Sequence, residues 1–361
     1  SAVAALVLFL TEITSNTATA ATFIPIMGGV AVGVGLTADG DINVLLLTIP
    51  VALAATCAFM LPVATPPNAI AYGSGYVKIG EMIKGGLGLN IIGIVLIVIY
   101  CLAPFYWMLV SSLRLPSMGR STDLIPNPIS FENFAAVFDP ANNFGRALIN
   151  SLIVAGGTTL LVLVLGTAGA YALARLNFWG KVLVMFAIVS TSMFPVITLI
   201  VPLLKLFSGG YDWAPINWIN TYQAMILPTI SFALPLAVWN LNAFFRQLPV
   251  ELEQAAMVDG TTRLGAFTRI ILPLATPGIF TTAIITFIAA WNEFLIALTM
   301  VNDPSMQTAN VAISKFTGIS QFDTPYGTKM AAGVIVTVPL IIMVLVFQRR
   351  IVGGLSAGSL K

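Results

Sequence analysis

Six apolar runs, each near the roughly 20 residues needed to cross the hydrocarbon core of a bilayer, recur from residue 86 onward, at about 86–110, 147–172, 181–206, 222–244, 276–300 and 329–348. In hydrocarbon every backbone N–H and C=O must be paired within the protein, which leaves helices and closed barrels as spanning structures. Barrel strands would alternate apolar and polar residues over about ten positions, and these runs do not. Only 8% of the residues are charged and 58% are apolar, against about 25% charged in soluble domains. The predicted fold is all-α and polytopic, with six transmembrane helices over 86–361.

The sequence has no histidine, which excludes Ser-His-Asp and Cys-His catalysis and histidine metal sites within it. Cys57 and Cys101 lie inside apolar runs and form no CxxC pattern, so they read as small buried hydrophobes. A net charge of +2 without a basic tract gives no sign of nucleic-acid binding. The chain opens on an apolar run with no charged flank and no cleavable signal, as a chain beginning inside a longer protein would.

Lys and Arg set the orientation. With residues 249–273 in the cytoplasm, ten of the basic residues fall inside: Lys78, Lys84, Arg175, Lys181, Arg246, Arg263, Arg269, Arg349, Arg350 and Lys361. Six fall outside: Arg114, Arg120, Arg146, Lys205, Lys315 and Lys329. Both ends of the six-span unit are then expected in the cytoplasm. The segments 113–146 and 301–328 face outside, as linkers or as contacts for an external partner.

Residues 249–273 form a polar island between two spans. Pro249 suits a helix start because it needs no N–H there. Glu251 and Glu253 suit the positive end of that helix. Ala255 and Ala256 offer a small, flat surface. Gly260 is placed to end the helix in a left-handed conformation, and Thr261 or Thr262 to cap a second helix carrying Arg263 and Arg269 to Pro273. Two short helices meeting at a corner outside the membrane make a peg for a groove in another protein.

This island resembles the EAA loop of ABC-importer permeases: Glu-Ala-Ala, three residues, Gly, nine residues, then Ile-x-Leu-Pro. Ala255, Ala256, Gly260, Ile270, Leu272 and Pro273 fall on the pattern, while Gln254 stands where it carries Glu. PFYWMLVSSLR, IPNPISFENF, INSLIVA, AYALARL, FRQLP, AWNEF and the final FQRRIVGGLSAGSLK are similar to sugar-importer permeases of the maltose/trehalose type over about residues 95–361. The resemblance implies a bacterial cell-membrane permease subunit that pairs with a second permease. It implies two ATPase subunits docked below and an extracytoplasmic binding protein that delivers sugar. Glu251, Glu253, Gln254, Ala255, Ala256, Asp259, Gly260 and Arg263 are the implied ATPase-coupling residues. No GxxxxGK[ST] loop occurs in the sequence, so ATP and Mg are expected on the partner subunit and no cofactor on this chain.

Asn292 and Glu293, in span five, line a pathway or bond to a neighbouring helix; an ionisable residue there needs water or a partner. Pro195, Pro202 and Pro235 are expected to break or kink spans three and four, as suits moving helices or as static kinks. Trp239, Asn240 and Asn242 are candidates to face sugar by stacking and hydrogen bonding, with the interface anchor as the alternative for Trp239. In the maltose family the intramembrane sugar site belongs mainly to the partner permease, so none is assigned here.

Residues 1–85 read as a separate segment. TEITSNT and ATPPN interrupt apolar runs, and paired breaks at membrane depth mark secondary transporters, where unwound backbone and helix ends hold ions. Thr11, Thr14 and Asn16 with the Ala64 carbonyl offer oxygens to sodium. Ser15, Asn16, Thr17, Thr65 and Pro66 offer a lining for a carboxylate. Ser15-Asn16-Thr17 and CAFMLPVATPPNAI resemble the C-terminal part of the divalent-anion/sodium symporters, over about residues 1–100. A second Ser-Asn-Thr, which the other inverted repeat of that family would carry, is absent from the sequence, so a partial repeat with broken helices is expected to pack as an appendage. NIIGIVLIVIYCLAPFYWMLV reads as the symporter's last helix at its start and the permease's first at its end.

A sugar-importer permease subunit, with lipid and protein partners, is therefore the expected function. A sodium-coupled dicarboxylate transporter is the alternative, and a scaffold without transport has no positive signal.

Overall fold

The structure, a computed structural model, describes all residues except 1, 15, 34–36, 39–40, 43, 62–64, 119–120, 214–216, 318–324 and 357–361. The chain divides into two compact units, Ser1–Val110 and Ser111–Lys361.

The first unit contains α1 (Ala2–Ile13), α2 (Asn16–Gly33), the two-residue strands β1 (Thr37–Ala38) and β2 (Asp41–Ile42), α3 (Leu45–Thr56), α4 (Pro66–Gly73) and all but the last two residues of α5 (Ile79–Ser112). The strands pair antiparallel, Thr37 opposite Ile42 and Ala38 opposite Asp41. Val7 and Leu8 of α1, Val51, Ala54 and Ala55 of α3 and Ile97 of α5 form its apolar core. Lys84 lies in the first part of α5, one unbroken 34-residue helix.

The second unit contains α6 (Glu132–Val137), α7 (Phe144–Arg175), α8 (Lys181–Thr191), α9 (Val196–Phe207) and α10 (Tyr222–Gln247). The polar island follows as α11 (Glu251–Val258), α12 (Arg263–Ala266), a π-helical turn Phe267–Ile271 and α13 (Leu272–Leu274). Then come α14 (Thr276–Trp291), α15 (Leu295–Met300), α16 (Ala309–Lys315) and α17 (Tyr326–Ser356). Among the described residues four helices are long and apolar enough to cross a membrane, and six spans result if each of two bent pairs counts as one.

Two spans are bent, the third where Pro195 was expected to act and the fifth where no bend was expected. Span three is α8 and α9, bent by 90°. The break precedes Pro195, which caps α9, and a residue before proline is driven out of the α region. Span five ends at Trp291 and resumes at Leu295, while the helix Arg263–Leu274 meets α14 at 72°. Pro202 and Pro235 lie inside α9 and α10 without ending them.

Helix α10 lies along α7 and α14. Ala170 and Leu173 of α7 pack with Val238, Leu241 and Phe245 of α10 and with Ile271 and Ala275. Asn242 of α10, buried, donates to the Ala170 carbonyl at 3.2 Å. Asn242 thus fastens α10 to α7, a role the sequence reading did not give it. At the opposite end Asn150 donates to the Ser305 and Gln307 carbonyls and accepts from the Tyr222 hydroxyl.

Candidate functional site

The polar island folds as its sequence dictates. Helix α11 begins two residues after Pro249. It ends in a complete Schellman motif: Thr261 N–H donates to the Ala256 carbonyl at 3.0 Å and Gly260 N–H to Met257 at 3.1 Å. That pattern requires a left-handed residue at the turn, and Gly260 supplies φ +89°. Of the two cap candidates, Thr262 takes the role and accepts from Gly265 N–H at 3.1 Å. The Thr261 hydroxyl instead donates to the Ala256 carbonyl.

Helix α11 then shows two faces. Glu251, Gln254, Ala255, Asp259 and Gly260 are exposed, as is Arg263 beyond the turn. Val258 and Leu264, 87% and 71% exposed, add apolar area to the same outer surface. Sequence reading passed over both, although Val258 follows Ala255 by three and so shares its face. Glu253 and Ala256, also three apart, face inward and are buried.

Glu253 therefore needs a correction. Its carboxylate does not extend from the corner toward another subunit. One oxygen forms an ion pair with Arg175 Nε at 2.5 Å, and the other accepts from the Tyr171 hydroxyl at 3.0 Å. Arg175 also donates to the Leu248 carbonyl at 2.8 Å, tying the end of α10 to the end of α7. The Tyr171 ring lies 4.3 Å from Phe267 of the π turn and 5.8 Å, edge-on, from Phe245 of α10. One cluster thus joins the inner face of α11, the π turn, α7 and α10. Tyr171 and Arg175 lie in AYALARL, a segment recognised in the sequence without a role for either residue.

The intramembrane candidates resolve differently. Glu293 accepts from the N–H groups of Ile296 at 2.7 Å and Ala297 at 3.0 Å. It thereby caps α15, the next helix in the chain. Asn292 is exposed. Trp239 is exposed on α10 and Asn240 half-buried. At the far end, the Ser305 backbone N–H and hydroxyl hold the Asp303 carboxyl below the usual carboxylate range.

In the first unit Thr11 and Asn16 come together: Thr11 Oγ1 lies 2.7 Å from Asn16 Oδ1 and 3.0 Å from the Ala55 carbonyl. One hydroxyl proton serves two acceptors there. Thr14 shares a hydrogen bond with Thr19 at 2.5 Å. Thr17 is exposed. Thr65 caps α4, and Pro66 is that helix's first residue. Ser15 and Ala64 lie outside the described residues. Glu12, missed in the sequence, is buried and accepts backbone N–H bonds from Phe59, Met60 and Leu61 at 2.8, 2.9 and 3.0 Å. Asn90 donates to it as well, at 2.7 Å. The carboxylate satisfies the amides left free where α3 ends, which is how an irregular backbone is tolerated away from water.

Residues 163–356, more than half of the 361-residue chain, match the family described as "Binding-protein-dependent transport system inner membrane component". The chain is 44% identical over 266 residues to the trehalose transport system permease protein SugB of Mycobacterium tuberculosis, covering 74% of this chain and 94% of that one. The chain belongs to the binding-protein-dependent transport permeases. It is also 42% identical over 274 residues to the trehalose/maltose transport system permease protein MalG of Thermococcus litoralis, covering 76% of this chain and 96% of that protein. The fold is shared with a bacterial ABC transporter that imports alginate, at 18% identity and a TM-score of 0.62, over 76% of this chain and 98% of that one. This permease is thus a membrane subunit of an ABC importer, a component distinct from the ATPase. Residues 2–113 match a second family, the sodium:sulfate symporter transmembrane region, which ends at α5.

Proposed function

We propose that this permease forms half of the translocation path of an ATP-driven importer for a disaccharide of the trehalose or maltose kind. In this reading a second permease completes the path and a binding protein delivers the sugar from outside. Two ATPase subunits, which hold ATP and Mg, dock on the cytoplasmic corner. The observation that carries the coupling role is the two-faced α11. Its outer face presents Ala255, Val258 and Asp259, and its inner face is bonded through Glu253 to Arg175 and Tyr171 of a spanning helix. A push on the outer face is delivered to α7 and α10 through buried polar and aromatic contacts. The substrate class rests on the relatives, whose names specify trehalose and maltose. The basic residues at the ends of α7, α8 and α10 support a cytoplasmic corner.

A second reading, sodium-linked carboxylate transport, is favoured by one observation: the oxygens of Thr11, Asn16 and Ala55 converge around a single proton, a set suited to a hard cation.

Uptake separates the two. Vesicles containing this permease with its partner permease, ATPase and binding protein would be offered labelled trehalose, maltose or succinate, with internal ATP or a sodium gradient. Sugar uptake that requires ATP and ignores sodium is expected. Sodium-driven succinate uptake without ATP would overturn the assignment.

A further inference from the structure

Between the end of α7, α8 and α10 runs a groove of about 360 Å³. Lys181 and Arg246 stand in it, and Val182, Met185, Phe186 and Trp239 form its apolar wall. The lining carries two cations and no carboxylate. Lys181 is the first residue of α8 and Arg246 the penultimate residue of α10, so both charges sit at one end. Trp239 lies seven residues from Arg246, about 10 Å along the helix at 1.5 Å per residue. The groove is therefore cationic at its mouth and apolar for a further turn or two into the membrane.

The charges are available. Lys181 donates one hydrogen bond, to the Leu176 carbonyl at 3.1 Å, and retains two N–H donors. Among the described residues the one ion pair is Arg175–Glu253, so Arg246 takes part in none. A partner helix filling this groove would have to bring an acidic side chain to the edge of the hydrocarbon, where carboxylates are costly and rare. An anionic phospholipid brings the negative headgroup and the acyl chain together, at the depth where these cations lie. Basic pockets between helices on the cytoplasmic side are suited to such headgroups, and an indole beside the mouth matches the usual position of Trp near the interface.

We infer that this groove is a binding site for an anionic phospholipid, with the headgroup phosphate on Lys181 and Arg246 and an acyl chain along Val182, Met185, Phe186 and Trp239. The inference relies on a cytoplasmic corner and not on the identity of the sugar. The site touches the α7–α10 junction that also holds Glu253, so an occupied groove braces the coupling cluster.

The test uses the assembled importer, purified with its partner subunits. Native mass spectrometry would compare retention of phosphatidylglycerol and phosphatidylcholine of identical acyl chains. Preferential retention of phosphatidylglycerol is expected, reduced at least tenfold in Lys181→Gln/Arg246→Gln and preserved in Lys181→Arg/Arg246→Lys. Equal retention of both lipids, or undiminished retention in the Gln pair, would overturn the site. If the Gln pair fails to assemble, brominated lipids decide on the otherwise native complex. Brominated phosphatidylglycerol should quench a component of fluorescence that vanishes in Trp239→Phe, and the phosphatidylcholine analogue should not. No such component, or photo-crosslinking from position 182 to the partner permease, would contradict the proposal.

Discussion

A carboxylate in the first turn of a helix already gains from the positive end of the dipole. Glu253 has in addition a guanidinium and a phenol, in a setting where it is 8% exposed. Breaking a buried pair by removing one partner costs about 3–5 kcal/mol, because a charge is left uncompensated, whereas replacing both by apolar groups is often near neutral. Glu253→Ala and Arg175→Ala should therefore each lower the thermal unfolding midpoint clearly. Glu253→Leu with Arg175→Met should cost much less than the sum of the two, in a double-variant cycle read by melting of the detergent-solubilised importer. Additive losses would mean that the pair does not act as a unit. In the sequence Glu253 could be placed on α11 but not turned inward, because its partners lie 78 and 82 residues away. Glu12 was missed for the same reason: its donors, Phe59 to Leu61 and Asn90, are distant in sequence and three of them are backbone. By contrast Gly260 was legible, since a helix stop needing positive φ is a local property.

At the scale of the element, the corner owes its shape to Gly260 and to a close approach at Gly278. Open space surrounds a Cβ at Gly260, so Gly260→Ala should cost only the left-handed backbone penalty, about 1–2 kcal/mol, in melting experiments. Gly260→Pro should do far more, because it also removes the N–H that bonds Met257. A Cβ on Gly278 would stand 2.6 Å from the Phe244 ring, forcing α14 away from α10. Overpacking of this kind costs about 1–3 kcal/mol, so Gly278→Ala should destabilise by that order, and Phe244→Leu should restore most of the loss. No rescue would mean that the ring is not the obstacle. Apolar run length was enough to find the spans, but not their continuity. The break at Pro195 follows from a local rule, whereas the break after Trp291 depends on Glu293 capping α15, which no periodicity encodes. The π turn Phe267–Ile271 likewise followed from no local pattern. It accompanies the approach of Phe267 to Tyr171, a tertiary contact.

At the scale of the whole molecule, two families meet in one chain, one matched over 2–113 and the other over 163–356. The permease unit holds the two-faced corner, and the first unit holds an oxygen cluster built from Thr11, Asn16 and Ala55. On the importer reading, Thr11→Val should leave ATP-driven sugar uptake within about twofold of wild type, because Thr11 belongs to the first unit and the corner with its cluster to the second. A loss of sugar uptake in a correctly assembled Thr11→Val importer would tie the first unit to transport. Motif spacing made the two-helix corner readable from sequence. The contacts behind it were not, because Tyr171, Arg175, Phe245 and Phe267 gain meaning only once α7, α10 and the π turn are side by side.

The most direct test of ATP coupling through α11 is labelled-trehalose uptake by proteoliposomes loaded with ATP, comparing wild type with Gly260→Pro at equal amounts of membrane-inserted permease. Uptake reduced at least tenfold, with insertion and pairing with the second permease preserved, is the predicted result. Uptake at the wild-type rate would contradict the account.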